Sequence, residues 1–416
     1  MPRVFESIYP AALTLRVQSR DCCHYLYRVM QLIGWLAPQS GSEHYLYVYG
    51  WRLFVALIVI YLPCGFVLSL VLNSKLLSVS EFFVMLQTFI SIFGAIAKSL
   101  NVCTLLGRLR ATECLLDKLD MLLLSQADRL RVRKSVALCN RIVLVYSSVY
   151  VGYVATMFMA AIWAGKPPLM MYFVLFDWRN GAASFYIHLL FEFVMLIYAV
   201  LMGVADDTYN LLFLIIFRTH MAVLKQQLQL LRADPNKTEA QNYSQLVHCI
   251  VYHQSILRCC ESIRPVISRT IFVQFVIIGS VLGLTLMTLL FVDNFWQCLP
   301  MIVSFMAILL QTFPFCYLCD LFVDDFKQLS NAVWATPWID AEPRYKSTLR
   351  IFIQHVQRPI VFIAGGIFPI SMKSNIHASL RHILTYTAKS YKSIFNITGS
   401  KVCIQRYYHT TTTESS

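Results

Sequence analysis

Six apolar stretches, 53–71, 82–98, 142–164, 184–204, 271–292 and 299–322, recur along a chain of 416 residues. Each is close to the length of about 20 residues that an α-helix needs to cross a bilayer. With 57% hydrophobic and only 14% charged residues, the chain cannot hide its apolar surface in water-facing cores. One polytopic membrane domain therefore replaces the two or three soluble domains that this length would otherwise suggest. Inside lipid every backbone polar group must be satisfied internally, which leaves helices or a closed barrel. The alternating segments of a barrel are absent, so the fold class is an all-α polytopic membrane protein. Pro63 falls within the first span, where a membrane helix accommodates it as a kink.

The formal charge of +13 is carried by loops between spans, not by one amphipathic face or a nucleic-acid reader motif. Arg108, Arg110, Lys118, Arg129, Arg131, Arg133 and Lys134 lie between the second and third spans. Arg218, Lys225, Arg232, Lys237, Arg258, Arg264 and Arg269 lie between the fourth and fifth. The odd loops carry only Lys75, Lys166 and Arg179. The positive-inside rule then makes the amino terminus and the even loops cytoplasmic, the reverse of a G-protein-coupled receptor. Residues 1–52 form a cytoplasmic segment, with a helix over 22–35 whose apolar side, Tyr25, Met30, Leu32 and Ile33, is expected at the membrane surface. No continuous apolar run follows the first charges, so the first span is expected to be the insertion signal, with no cleaved leader. Asn236-Lys-Thr and Asn242-Tyr-Ser are glycosylation acceptors in the fourth loop, and this topology predicts that both stay bare.

No catalytic constellation is legible, and the chain is not expected to be an enzyme. His248 and His253 bring no partner carboxylate and read as a solvated loop helix. Asp206-Asp207 and Asp320 with Asp324-Asp325 read as solvated helix ends, not metal ligands. Among thirteen cysteines, the pair Cys316-x-x-Cys319 lies in an apolar helix with no His or carboxylate at zinc spacing and reads as buried free thiols, and no cofactor is implied.

Binding is better supported. The outer halves of the spans, 82–89, 150–161, 184–191, 284–291 and 301–305, are rich in aromatics and Met with isolated polar groups. Tyr150, Tyr153 and Met157 share one helical face, as do Phe185 and His188, and the second span offers Met85 and Phe89. These seven residues are the candidate lining for a small, mostly apolar ligand; helix packing explains the same pattern. Glu192 and Gln87 lie within spans, where a polar group is either hydrogen-bonded in the bundle or part of an ion path.

After the sixth span the order Ser330, Trp338, Tyr345, Gln357, Pro359, Ala364-Gly365-Gly366 and Phe368-Pro369-Ile370-Ser371-Met372 resembles the carboxy-terminal signature of insect odorant receptors. With FPFCYLCDLFVDD (313–325) and the upstream spans, the resemblance covers about 15–375. It implies a seven-helix bundle with a cytoplasmic amino terminus. It also implies an odorant-tuning subunit of a ligand-gated cation channel, working with the insect odorant co-receptor in a hetero-tetramer in the plasma membrane of olfactory-neuron dendrites. A gustatory-type chemoreceptor and a non-conducting variant isoform are the alternatives. The seventh span is atypical: 351–370 is only a partial span, and 376–416 is a basic tail. Arg381, Lys389 and Lys392 would each cost about 2.5–3.5 kcal/mol at a bilayer centre. Leu380, Ile383, Leu384, Tyr391, Ile394 and Phe395 instead suit a cationic helix lying on anionic lipid.

Overall fold

The structure, a computed structural model, describes residues 9, 18–36, 45–73, 79–169, 171, 178–289 and 295–374. The expectations for the tail over 376–416 lie outside the described residues. A one-turn 3-10 helix, Ser19–Cys23, leads into α1 (His24–Leu32). There follow α2 (Tyr45–Asn73), α3 (Val79–Thr104), α4 (Leu106–Asp120), α5 (Gln126–Ala164), α6 (Ala182–Gln229), α7 (Glu239–Leu289), α8 (Phe295–Trp334) and α9 (Pro343–Val356). The two-residue strands β1 (Ile363–Ala364) and β2 (Phe368–Pro369) pair antiparallel, Ile363 opposite Pro369. The six apolar stretches fall within α2, α3, α5, α6, α7 and α8. Among the described residues, five helices are long and apolar enough to cross a membrane.

Local chemistry sets the helix ends. Ser125 caps α5 by accepting the N–H of Asp128, whose carboxylate accepts the N–H of Ser125 in return, a reciprocal box that satisfies two otherwise orphaned donors. Gly165 closes the same helix in the left-handed conformation, φ +64°. Pro343 opens α9 at a position whose N–H has no helical partner anyway.

The charged even loops are continuations of the helices. α5 begins with the Arg129–Lys134 charges, and α6 and α7 extend far past their apolar spans, α7 through an internal Pro265. These inner extensions pack the densest part of the core, where Tyr209, Phe213, Phe217, Tyr252, Phe322, Phe326 and Tyr345 are fully buried. Along the spans the outward faces stay apolar and exposed, with Leu53, Leu57, Ile60, Phe93, Trp163 and Leu190 directed away from the bundle, as a lipid-facing surface requires.

The amino-terminal helix departs from expectation. Tyr25, Met30 and Ile33 are buried against the bundle, while Leu32 is exposed. Polar ties explain the difference: Asn140 Nδ2 donates to the Asp21 carbonyl at 2.9 Å, and the Tyr198 hydroxyl donates to the Ile33 carbonyl at 3.1 Å. Ser19 is wholly buried beside Asp120, its N–H and hydroxyl both donating to that carboxylate, and lies 2.9 Å from Nε2 of His220. The apolar side thus covers protein, not lipid.

Two further readings need correction. His253 is buried edge-on against Phe326 and Phe352, and half-buried His248 lies 3.1 Å from the Leu122 carbonyl, so neither is solvated. Asp325 pairs with Arg218 at 2.6 Å, and Asp320 accepts the N–H of Met372 at 2.9 Å, so these acids join elements together instead of ending a solvated helix. Of the two glycosylation acceptors, Asn242 is buried and Asn236 exposed. Cys316 and Cys319 are buried free thiols.

The signature after α9 has a steric logic. Gly365 sits at φ +56° and donates its N–H to the Ser268 carbonyl on α7 at 3.1 Å. A Cβ there would come within 2.6 Å of the Phe272 ring. Gly366, at φ +75°, supplies the second left-handed residue of the turn joining β1 to β2.

Candidate functional site

The predicted lining residues sit on α3, α5 and α6, of which α6 packs against both of the others. Met85 and Tyr150 belong to the buried core, with Phe89, Met157 and Phe185 packed partly buried against it. Phe89 stacks on Phe93 at 6.1 Å, and His188 is fully buried. Tyr153, one turn out from Tyr150, is 37% exposed and lies on the flank. The outer ends of α7 and α8, which the sequence placed in the same wall, lie outside the described side chains.

A clamp on α6 follows His188 by one turn and Phe185 by two. Glu192, on α6, is completely buried and accepts the backbone N–H of Leu169 at 3.0 Å and of Met171 at 2.8 Å. His188 Nε2 lies 3.1 Å from the same carboxylate, one helical turn away. The segment after α5 is thereby strapped to α6, and Met171 is pressed into the bundle beside Gly65, where an added Cβ would approach its methyl to 2.8 Å. Of the two readings of Glu192, the structure supports hydrogen bonding within the bundle.

Beneath the lining lies a polar junction that the sequence reading did not assemble. Lys98 on α3 donates to Oδ1 of Asp207 on α6 and to Oε1 of Gln274 on α7, both at 2.7 Å. Gln274 donates to Gln311 on α8 at 2.9 Å, and Ser99 donates to Asp206 at 2.7 Å. The Tyr150 hydroxyl donates to the other oxygen of Asp207, again at 2.7 Å. Tyr209 and Asn101 both donate to Thr270 nearby. Asp206 is 0% and Asp207 7% exposed, so the expectation of a solvated helix end is overturned. A buried charge persists only when paired and hydrogen-bonded, and Lys98 meets that demand. The available signal was the recurrence of polar residues at matching depth in spans two, four, five and six.

Residues 78–378 match the family model described as 7tm Odorant receptor. The chain belongs to the 7tm odorant receptor family. This receptor is 49% identical over 373 residues to Odorant receptor 59b of Drosophila melanogaster, covering 90% of this chain and 94% of that protein. It is 40% identical to Odorant receptor 42b of the same fly over equal shares. Its fold is similar to that of the insect olfactory receptor OR5 from Machilis hrabei, with a TM-score of 0.69 at 14% identity, covering 89% of this chain and 97% of that one. The same receptor in complex with eugenol gives a TM-score of 0.67 at 14% identity. The receptor therefore has the seven-helix architecture of insect olfactory receptors.

Proposed function

We propose that the receptor is the odorant-binding, tuning subunit of a heteromeric odorant-gated cation channel. In this reading it works with the insect odorant co-receptor in a hetero-tetramer, in the dendritic plasma membrane of olfactory sensory neurons. The amino terminus and the basic inner helix extensions face the cytoplasm, as the Lys and Arg distribution argues. The chemistry is binding, not catalysis. A volatile ligand is held by Met85, Phe89, Tyr150, Met157, Phe185 and His188, with Tyr153 at the flank. It shifts the channel only by its differential affinity for the open and closed arrangements.

The observation that supports this reading is that the aromatic and Met residues on α3, α5 and α6 lie outward of the buried Lys98–Asp207 junction, with His188 joined to the Glu192 strap. A mostly apolar lining with few polar groups suits a small volatile whose affinity comes from buried area. The OR5 structure with eugenol shows that a receptor of this fold takes a small ligand.

Whole-cell current from this chain, expressed with and without an insect co-receptor, tests the proposal against a panel of small esters, alcohols, ketones and acids. Co-receptor-dependent current, tuned differently from the co-receptor alone, is the expected result. A parallel copy replaces the residues after Asn375 with a family-typical seventh helix. Current from that copy alone would assign the defect to the basic tail, and silence from both would remove the channel reading.

A further inference from the structure

Tyr150 occupies the boundary between the candidate lining and the polar junction. It is the innermost of the three lining residues on α5, with Tyr153 and Met157 three and seven positions further out. Its ring packs edge-on to Tyr146 at 6.1 Å and lies over α6 at Gly203, where a Cβ would meet it at 3.4 Å. A phenol carries one proton, and here that proton is held by Asp207, one helical turn beyond Gly203. Asp207 also takes the Lys98 ammonium, and Lys98 in turn holds Gln274, which holds Gln311. Five helices, α3, α5, α6, α7 and α8, thus meet in one connected chain of hydrogen bonds, all but one of whose side chains are deeply buried.

We propose that Tyr150 is a positioning residue and not a hydrogen-bond donor to the odorant: its ring belongs to the lining, while its hydroxyl ties that lining to the five-helix junction through Asp207. This rests on the odorant-channel reading above. A ligand that displaces the ring acts on Asp207, and through Lys98 and Gln274 on α3, α7 and α8. The chemical consequence concerns selectivity. With its proton committed inward, Tyr150 offers a ligand aromatic surface but no donor, so it does not distinguish esters and ketones, which need one, from alcohols of the same shape.

The test is Tyr150→Phe, co-expressed with the co-receptor, with surface level followed by biotinylation and full concentration–response curves for at least one alcohol, one ester and one ketone. The half-maximal concentrations are expected to move together, by a common factor of about ten, the scale of a hydrogen bond to a charged group. Gln274→Leu, at the far side of the junction, is expected to give a parallel shift too. In an Asp207→Asn background Tyr150→Phe is expected to add less than about a twofold change, as coupled residues do. Selective loss of the ester and ketone responses would overturn the proposal, because it would make Tyr150 a donor to the ligand. Unchanged curves at normal surface level would overturn it equally. Silence from both the wild-type complex and the copy with the family-typical seventh helix would instead defeat the underlying channel reading, and if only that copy conducts the same substitutions are read in it, so the two failures are distinguishable.

Discussion

The Glu192 carboxylate accepts the backbone N–H of Met171 at 2.8 Å, across the gap between α6 and the segment that follows α5. Its second oxygen takes the N–H of Leu169, so one buried side chain replaces two backbone partners that an irregular segment would otherwise lack. Glu192→Ala leaves both donors orphaned in an apolar setting, at about 1–3 kcal/mol for each. The variant should melt several degrees lower than wild type when unfolding is followed by fluorescence-detected size exclusion in detergent. Glu192→Gln keeps one acceptor and should fall between them.

Gly365 and Gly366 separate steric demand from backbone demand. Alanine at either must adopt a left-handed conformation, costing about 1–2 kcal/mol. Only Gly365→Ala also drives a methyl into the Phe272 ring. It should therefore be clearly the more destabilising of the two in the same melting assay, and Phe272→Ala should relieve part of the difference. Equal melting temperatures for the two alanine variants would contradict this packing.

Glu113, on α4, gives a pH dependence with a definite sign. Burial pushes its carboxyl up to about 7, against the opposing pull of Arg20, with Asp117 adding to the rise. A folded-state value above the unfolded one means that the protonated form is favoured by folding. The contribution is complete below about 4.5, the ordinary range for glutamate, and is lost as pH rises through 7. Glu113→Gln, which cannot ionise, should gain stability relative to wild type between pH 5 and pH 7.5. The measurement is the difference in melting temperature at those two values, and a variant advantage no larger at pH 7.5 than at pH 5 would contradict the assignment.

The spans were legible because length and hydropathy are local properties, and the Gly365-Gly366 signature because its residues are consecutive. Which groups meet inside the bundle was not local. Lys98 and Asp207 are separated by 109 positions, and hydropathy treats each as the end of a span instead of a partner for the other. The same limit applied to the amino-terminal helix. Its amphipathic pattern predicted an apolar side over Tyr25, Met30 and Ile33 but could not say whether lipid or protein covers it. The lining residues were named from one-face periodicity, which brings Tyr150 into the core cluster and Met157 against it while leaving Tyr153 on the flank.

The central claim is that a small odorant lodges among the outer-half residues of this chain, and Met157→Trp tests it most directly. Met157 is partly buried against the core and one face-repeat outward of Tyr150. A bulkier ring there fills space that a ligand would use. With an agonist identified from the panel, wild type and Met157→Trp are compared in co-receptor-expressing cells at matched surface level. The account predicts that Met157→Trp weakens the response at least tenfold for larger agonists and less for the smallest. Identical concentration–response curves for agonists of every size would contradict it.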